Sequence, residues 1–143
     1  MGRDRQLCTF VVGGLHLGVG VEHVGEVLRR QPTTPVPLAN AEVAGLINLR
    51  GAIVTALDLR RRLGLDTGGE GPRMNVVLNQ GDEAVSLLVD EIGEVVTVAE
   101  DDFEPPPETV AGTTRELILG AYKLDGRLLL LLDTERTLAP SDA

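Results

Sequence analysis

The sequence predicts an all-β fold of two pseudo-symmetric five-stranded small β-barrels with short helical turns, on three observations. First, the second half of the chain rereads the first. Gly45-Leu-Ile-Asn-Leu-Arg-Gly51 has the spacing of Gly120-Ala-Tyr-Lys-Leu-Asp-Gly126 at an offset of 75, and Leu57-Asp58, Arg61 and Leu63 meet Leu132-Asp133, Arg136 and Leu138 in the same register. Upstream, Val21, Gly25, Glu26 and Val27 meet Val89, Gly93, Glu94 and Val95 at an offset of 68. Self-similarity of this kind marks a repeated structural unit. Second, short β-rich runs alternate with turn signals at close intervals, as in barrels and sandwiches. Third, the chain lacks the long helical patterns that a parallel α/β sheet requires.

The elements follow in order. Leu7–Val12 and Leu15–Val21 flank Gly13-Gly14, a two-residue hairpin turn, and Val76–Asn79 and Ala84–Val89 repeat the hairpin around Gly81-Asp82. Each hairpin is followed by a Gly-Glu-Val element and a short strand, near Val27–Arg30 and Val95–Val98. Pro32, Pro35 and Pro37 forbid regular helix or central strand between them. Asn40 is placed to cap one helical turn through Val43. Ile47–Leu49 and Ala52–Leu57 form a hairpin around Arg50-Gly51, after which Asp58 caps a helical turn that Gly64 ends. Asp133 caps Thr134–Leu138 in the same way, with Pro140 as the stop. The 7-residue difference between the two offsets is read as an insertion in the second copy, in the Pro-rich stretch Glu104–Glu108.

The 143 residues form one domain (1–143), divided into a first barrel over 7–66, a linker over 67–71 and a second barrel over 72–138. Units of roughly 65 residues bury little surface alone. Aromatics make up only 2% of the chain, so Val, Leu, Ile and Ala must fill the cores. Neither half is expected to be stable alone, and the seam between them is expected to be apolar. A formal net charge of −9 argues against nucleic acid and anionic membrane as partners. The lone Cys8 fits a reducing compartment, Met1–Gln6 does not resemble a signal peptide, and the longest apolar run, Leu128–Leu132, is too short to span a bilayer. A cytoplasmic protein without membrane insertion is expected.

Catalytic constellations are absent. Ser86 lies in a strand and Ser141 in the tail, neither in a Gly-x-Ser-x-Gly elbow, and Cys8 has no His near it in sequence. His16 and His23 are few for a metal site, though Glu22 and Asp90 could join them. The run Gly13–Gly20 precedes no helix and reads as a hairpin, not a dinucleotide loop. No cofactor, metal or catalytic residue is expected. What remains is divergence between the copies: Asn48 and Arg50 in the first turn stand where Lys123 and Asp125 stand in the second. Leu and Gly are shared because one packs and the other makes the turn. Asn and Arg are not shared, and Glu26 is the natural partner of Arg50. Alternatively Arg50 is simply a surface residue at a hairpin tip.

These residues carry a resemblance. Asn48-Leu-Arg-Gly-Ala-Ile-Val-Thr-Ala-Leu-Asp-Leu-Arg60 is similar to the signature segment of the CheW family, and Val24–Val27, Val77–Asn79 and Leu88–Ile92 fall in that family's order. The likeness runs from about Leu7 to Leu138. It implies two five-stranded barrels without enzymatic activity that bridge methyl-accepting chemotaxis receptors to the regulatory domain of a CheA-type histidine kinase. By the same resemblance, Val21, Val24, Glu26 and Val27 line the receptor groove, and Arg50 pairs with Glu26. Asn48 shares the turn of Arg50, and Val95 forms the opposite groove wall. Ala44 and Gly45 match the edge that meets the kinase. Thr55, Leu17 and Gly25 depart from the family pattern, which favours Pro, an aromatic and a polar residue there. The alternative is a CheW-like paralogue in another motility pathway, pilus or gliding, that binds receptors without a kinase. From a different class, the rival is a barrel holding a metal between His16, His23 and Asp90.

Overall fold

The computed structural model describes residues 3–66, 69 and 71–139, so Thr67, Gly68 and Glu70 of the expected linker, and Pro140, lie outside the described residues. Ten strands alternate with short helical turns. The first half holds β1 (Asp4–Val12), β2 (Leu15–Gly20), a 3-10 turn (Val21–His23), β3 (Val24–Arg29), β4 (Val43–Leu49), β5 (Ala52–Asp58) and α1 (Leu59–Arg62). The second holds β6 (Met74–Gln80), β7 (Glu83–Val89), β8 (Glu91–Ala99), α2 (Gly112–Glu116), β9 (Ile118–Leu124), β10 (Arg127–Leu132) and α3 (Thr134–Leu138).

The strands form two five-stranded sheets, ordered β8-β1-β2-β10-β9 and β3-β6-β7-β5-β4. The orders are related by exchanging β1–β2 with β6–β7, β3 with β8, and β4–β5 with β9–β10, which is the expected pseudo-twofold repeat. Two features differ from expectation. The sheets are open rather than closed barrels. They also ignore the division of the chain near residues 67–71, because each takes a hairpin from one half and three strands from the other. Each sheet joins the halves through one parallel and one antiparallel pair: Leu130 lies opposite Leu17 and β1 runs antiparallel to β8 in one sheet, and Thr55–Asp58 lie opposite Val85–Leu88 and β3 runs antiparallel to β6 in the other. The halves are therefore interwoven.

Burial explains the exchange. One apolar core draws Phe10, Leu17 and Val19 from the first hairpin, Leu78, Leu87 and Val89 from its counterpart, and Leu57, Leu59, Leu63, Leu130 and Leu132 from the strands and helix beside them. Outside it each sheet keeps a small satellite core, Ile47, Val54 and Ala56 in one and Tyr122, Leu129 and Leu131 in the other, again at the offset of 75. The caps behave as expected. The Asp58 carboxylate accepts from the Arg61 amide and the Asp133 carboxylate from the Arg136 amide, satisfying donors that a helix start leaves free.

The glycines that open the repeat have a packing reason. The chain after β3 crosses back over β4, where Thr34 and Leu46 exchange two backbone hydrogen bonds of 2.8 Å, and Glu104 and Ala121 do the same over β9. A Cβ at Gly45 would sit 2.3 Å from the Thr34 carbonyl oxygen, and one at Gly120 would sit 2.4 Å from that of Glu104. Only glycine allows this approach. The crossings also locate the insertion. Thr34 to Leu46 spans 12 positions and Glu104 to Ala121 spans 17, so five of the extra residues lie between Glu104 and Ala121, a segment that holds both the Pro-rich stretch and α2. The Thr114 hydroxyl of α2 donates to the Leu63 carbonyl at 2.8 Å, closing the end of α1. The expected helical turn at Asn40 is a single turn in which the Val43 amide donates to the Asn40 carbonyl, because Val43 already begins β4.

Candidate functional site

β3 and β4 are the two edges of the second sheet, yet a side chain of one reaches the tip of the other. Arg50 Nη2 donates to Glu26 Oε1 at 2.9 Å. Glu26 follows a register shift between Val24 and Glu26, a bulge that re-aims its side chain off the regular ladder. The Arg50 side chain is 80% exposed and that of Glu26 26%. A pair this solvated contributes about 0.2–1 kcal/mol. It is not the deeply buried pair whose disruption would collapse the fold.

The turn that carries Arg50 is unlike its counterpart, contrary to the expectation that both copies make the same turn. Arg50 has φ 54° and Gly51 φ 87°, so both central residues are left-handed, the type I′ arrangement. In the second copy Gly126 alone is left-handed at 75°, with Asp125 in the ordinary region, the sign pattern of a type II turn. A left-handed backbone costs an arginine roughly 1–2 kcal/mol. Asn48 is exposed, but its Oδ1 accepts from the Gly51 amide at 3.0 Å.

The remaining expected site residues fall on three surfaces. Val21 sits half-buried in the 3-10 turn that carries the chain from the first sheet to the second, and Val24 packs on the main core. Val27 is exposed on edge strand β3, and Val95 is 57% exposed on the other sheet's edge strand, β8, opposite Cys8. Ala44 is half-buried on β4, and Gly45 is buried beneath Thr34. Sequence reasoning missed Ile53, which is 65% exposed and pairs across the hairpin with Asn48 beside the Arg50 turn. An unbroken apolar run gives no sign of which of its members faces water.

The groups of the metal alternative do not converge, and Asp90, Glu22 and His23 are otherwise engaged. Asp90 accepts from Arg60 Nη2 at 2.5 Å and from the Gly13 amide at 2.8 Å. Glu22 lies 3.4 Å from Arg5 and 3.6 Å from His23. A hydrogen bond to its own backbone holds the Glu22 pKa below the ordinary value against the opposing desolvation, with help from Arg5 and His23. His16 lies on β2, its pKa lowered by burial and then by the charge of Arg127. Among the described residues no group of three or more His, Cys, Asp or Glu could hold a metal ion. Ser86 is fully buried and accepts from Asn75 Nδ2 at 2.7 Å, which leaves no open nucleophile there. Burial, then the charge of Glu22, raises the Cys8 pKa and keeps it a thiol.

What the surface does present is an exposed ion pair on a strained turn and bare valines on two edge strands, the makings of a protein–protein contact face. Comparison with known proteins agrees with that class. The chain belongs to the CheW family: the CheW-like domain matches residues 6–141. It is 33% identical to the chemotaxis protein CheW of Rhizobium meliloti over 132 residues, covering 92% of this chain and 85% of that one. It is 30% identical to protein FrzA of Myxococcus xanthus over 124 residues, covering 86% and 77%. The crystal structure of the scaffolding protein TtCheW from Thermoanaerobacter tengcongensis superposes with a TM-score of 0.80 at 26% identity, covering 91% of this chain and 89% of that chain.

Proposed function

We propose that the protein is a non-enzymatic adaptor coupling methyl-accepting chemotaxis receptors to the regulatory domain of a CheA-type histidine kinase. The observation that carries this reading is the Glu26–Arg50 pair. An arginine is kept at a turn position that disfavours it, exposed and ion-paired between the two edges of a sheet, in a chain of the CheW family. The receptor face comprises Val21, Val24, Glu26, Val27, Asn48, Arg50 and Val95. The valines supply apolar contact, and the ion pair sets the orientation of what binds. The kinase meets the β4 edge at Ala44, with Gly45 shaping that edge from beneath. Binding at each face biases the other through their shared sheet, so receptor state reaches the kinase as a coupling free energy. Both partners place the adaptor in the cytoplasm. Among the described residues no helix is long and apolar enough to cross a membrane.

A second reading, a paralogue in another motility pathway that binds receptors without a kinase, has the match to FrzA in its favour, as similar as several of the chemotaxis proteins. Affinity purification from the source cell separates the two. Receptors and a CheA-type kinase together support the adaptor, receptors alone support the paralogue, and neither partner removes both. Elemental analysis of the purified protein addresses the rival class, which requires stoichiometric zinc or iron.

A further inference from the structure

We propose that Thr9 is a positioning residue: its hydroxyl pins edge strand β8 and so holds Val95, the wall that this sheet gives to the receptor face. The functional part of this inference rests on the receptor reading of Val95, and the pinning rests on geometry alone. β3 and β8 are edge strands, each held by a ladder on one side only. Both carry the same bulge. Gly25 is the extra residue between Val24, opposite Leu78, and Glu26, opposite Val77. Gly93 and Glu94 lie between Ile92, opposite Phe10, and Val95, opposite Cys8, so both face Thr9. Val77 and Thr9 correspond at the offset of 68, as do Glu26 and Glu94. The bulge therefore forms over a valine as well as over a threonine, and the hydroxyl is not what makes it.

What the hydroxyl adds is a tether. Thr9 is buried, and its Oγ1 donates to the Glu94 carbonyl at 2.6 Å. A Cβ at Gly93 would sit 2.4 Å from that oxygen, so glycine lets the bulge close down on it. The strand has little else to hold it there, since every residue from Glu91 to Val95 is exposed. β3 has a different tether, the ion pair of Glu26 with Arg50. In the other sheet the counterpart of Arg50 is Asp125, an acid that cannot pair with Glu94. The two devices are reciprocal. Valine stands in place of Thr9 where the ion pair holds the strand, and aspartate stands in place of Arg50 where the hydroxyl holds it. Val95 follows Glu94 directly, and a wall fixed before binding lowers the ordering cost of the complex.

The test uses the full chain with a purified cytoplasmic hairpin fragment of a methyl-accepting receptor as probe. Thr9→Ser keeps the hydroxyl and Thr9→Ala removes it, and both delete the methyl group, so the two variants differ in the tether alone. Thr9→Ala is expected to lose about fivefold in affinity, the weight of one hydrogen bond, and Thr9→Ser to bind like the wild type. Because Thr9 acts through Val95, the double variant Thr9→Ala/Val95→Ala should lose less than the sum of its single variants. In NMR relaxation of the free protein, the Val95 backbone order parameter should fall in Thr9→Ala and hold in Thr9→Ser. Equal affinity of the serine and alanine variants overturns the proposal, as does an unchanged Val95 order parameter in Thr9→Ala. If Val95→Ala binds like the wild type, the receptor reading of β8 falls instead, and the relaxation result alone decides the pinning.

Discussion

Glu26 and Arg50 tie together the first and last strands of one open sheet, β3 and the β4–β5 hairpin, through a 2.9 Å ion pair. The pair lies outside the apolar cores. It orders the mouth of a sheet that hydrogen bonds do not close, and its modest energy suits a contact surface better than a structural clamp.

Strain at Arg50 and its role in binding should separate on mutation. Arg50→Gly relieves a left-handed arginine and loses a solvated ion pair, so its stability should equal or exceed that of the wild type by up to about 1 kcal/mol. Arg50→Ala keeps the strain and loses the pair, and should fall by about 0.5 kcal/mol. Both should bind receptor fragments poorly. Urea melts and pull-downs on the same samples check this, and an Arg50→Gly protein that binds normally refutes a functional arginine.

Gly45 and Gly120 should be intolerant for the same reason. A Cβ at either would press on a crossing carbonyl from 2.3 or 2.4 Å, so Gly45→Ala and Gly120→Ala should each cost on the order of 3 kcal/mol. Ala44→Ser, one position away on the same edge, should cost far less. Equal melting of Gly45→Ala and wild type would contradict the observed crossing.

Interweaving predicts how truncation behaves. Residues 1–66 alone leave β1–β2 without β8 and β10, and β3 and β5 without β6 and β7. Each half should therefore lack a cooperative thermal transition when expressed alone. Mixing the halves should recover β-sheet circular dichroism, since the missing partners are then supplied in trans. A cooperative melt of 1–66 by itself would refute this expectation.

Acid should weaken the fold through His16. Burial, and secondarily Arg127, lowers its folded pKa below the ordinary histidine value of 6.5, and its Nδ1 is buried without a hydrogen-bond partner. The unfolded chain thus takes up a proton that the folded one resists. The stabilisation is fully present above pH 6.5 and is lost as pH falls through the lowered folded value. Comparing urea melts at pH 7.5 and 5.5 for wild type and His16→Leu checks the sign. The wild type should lose more stability than the variant, and an equal loss would clear His16.

Much of the fold was legible because its signals are local. Gly13-Gly14, Arg50-Gly51 and the caps Asp58 and Asp133 act within a few residues of themselves, and duplication wrote most of them twice at fixed offsets. The Glu26–Arg50 pair was legible by elimination, because Arg50 breaks a repeat that its neighbours keep. α2 was not legible: a single turn of five residues, Gly112–Glu116, carries no full helical period.

By itself the sequence determined the strands, their hairpins and the pseudo-twofold repeat, because turn chemistry and apolar patterning act between neighbours along the chain. Only the tertiary structure decided which hairpin entered which sheet. β2 and β7 are apolar enough to lie beside either β5 or β10, and the choice between them follows from filling one common core. Tertiary structure also decided that Gly45 lies under Thr34, that Ile53 is bare, and that the sheet curls far enough for Arg50 to reach Glu26. These are distances between segments remote in sequence, and they follow from packing rather than from local preference.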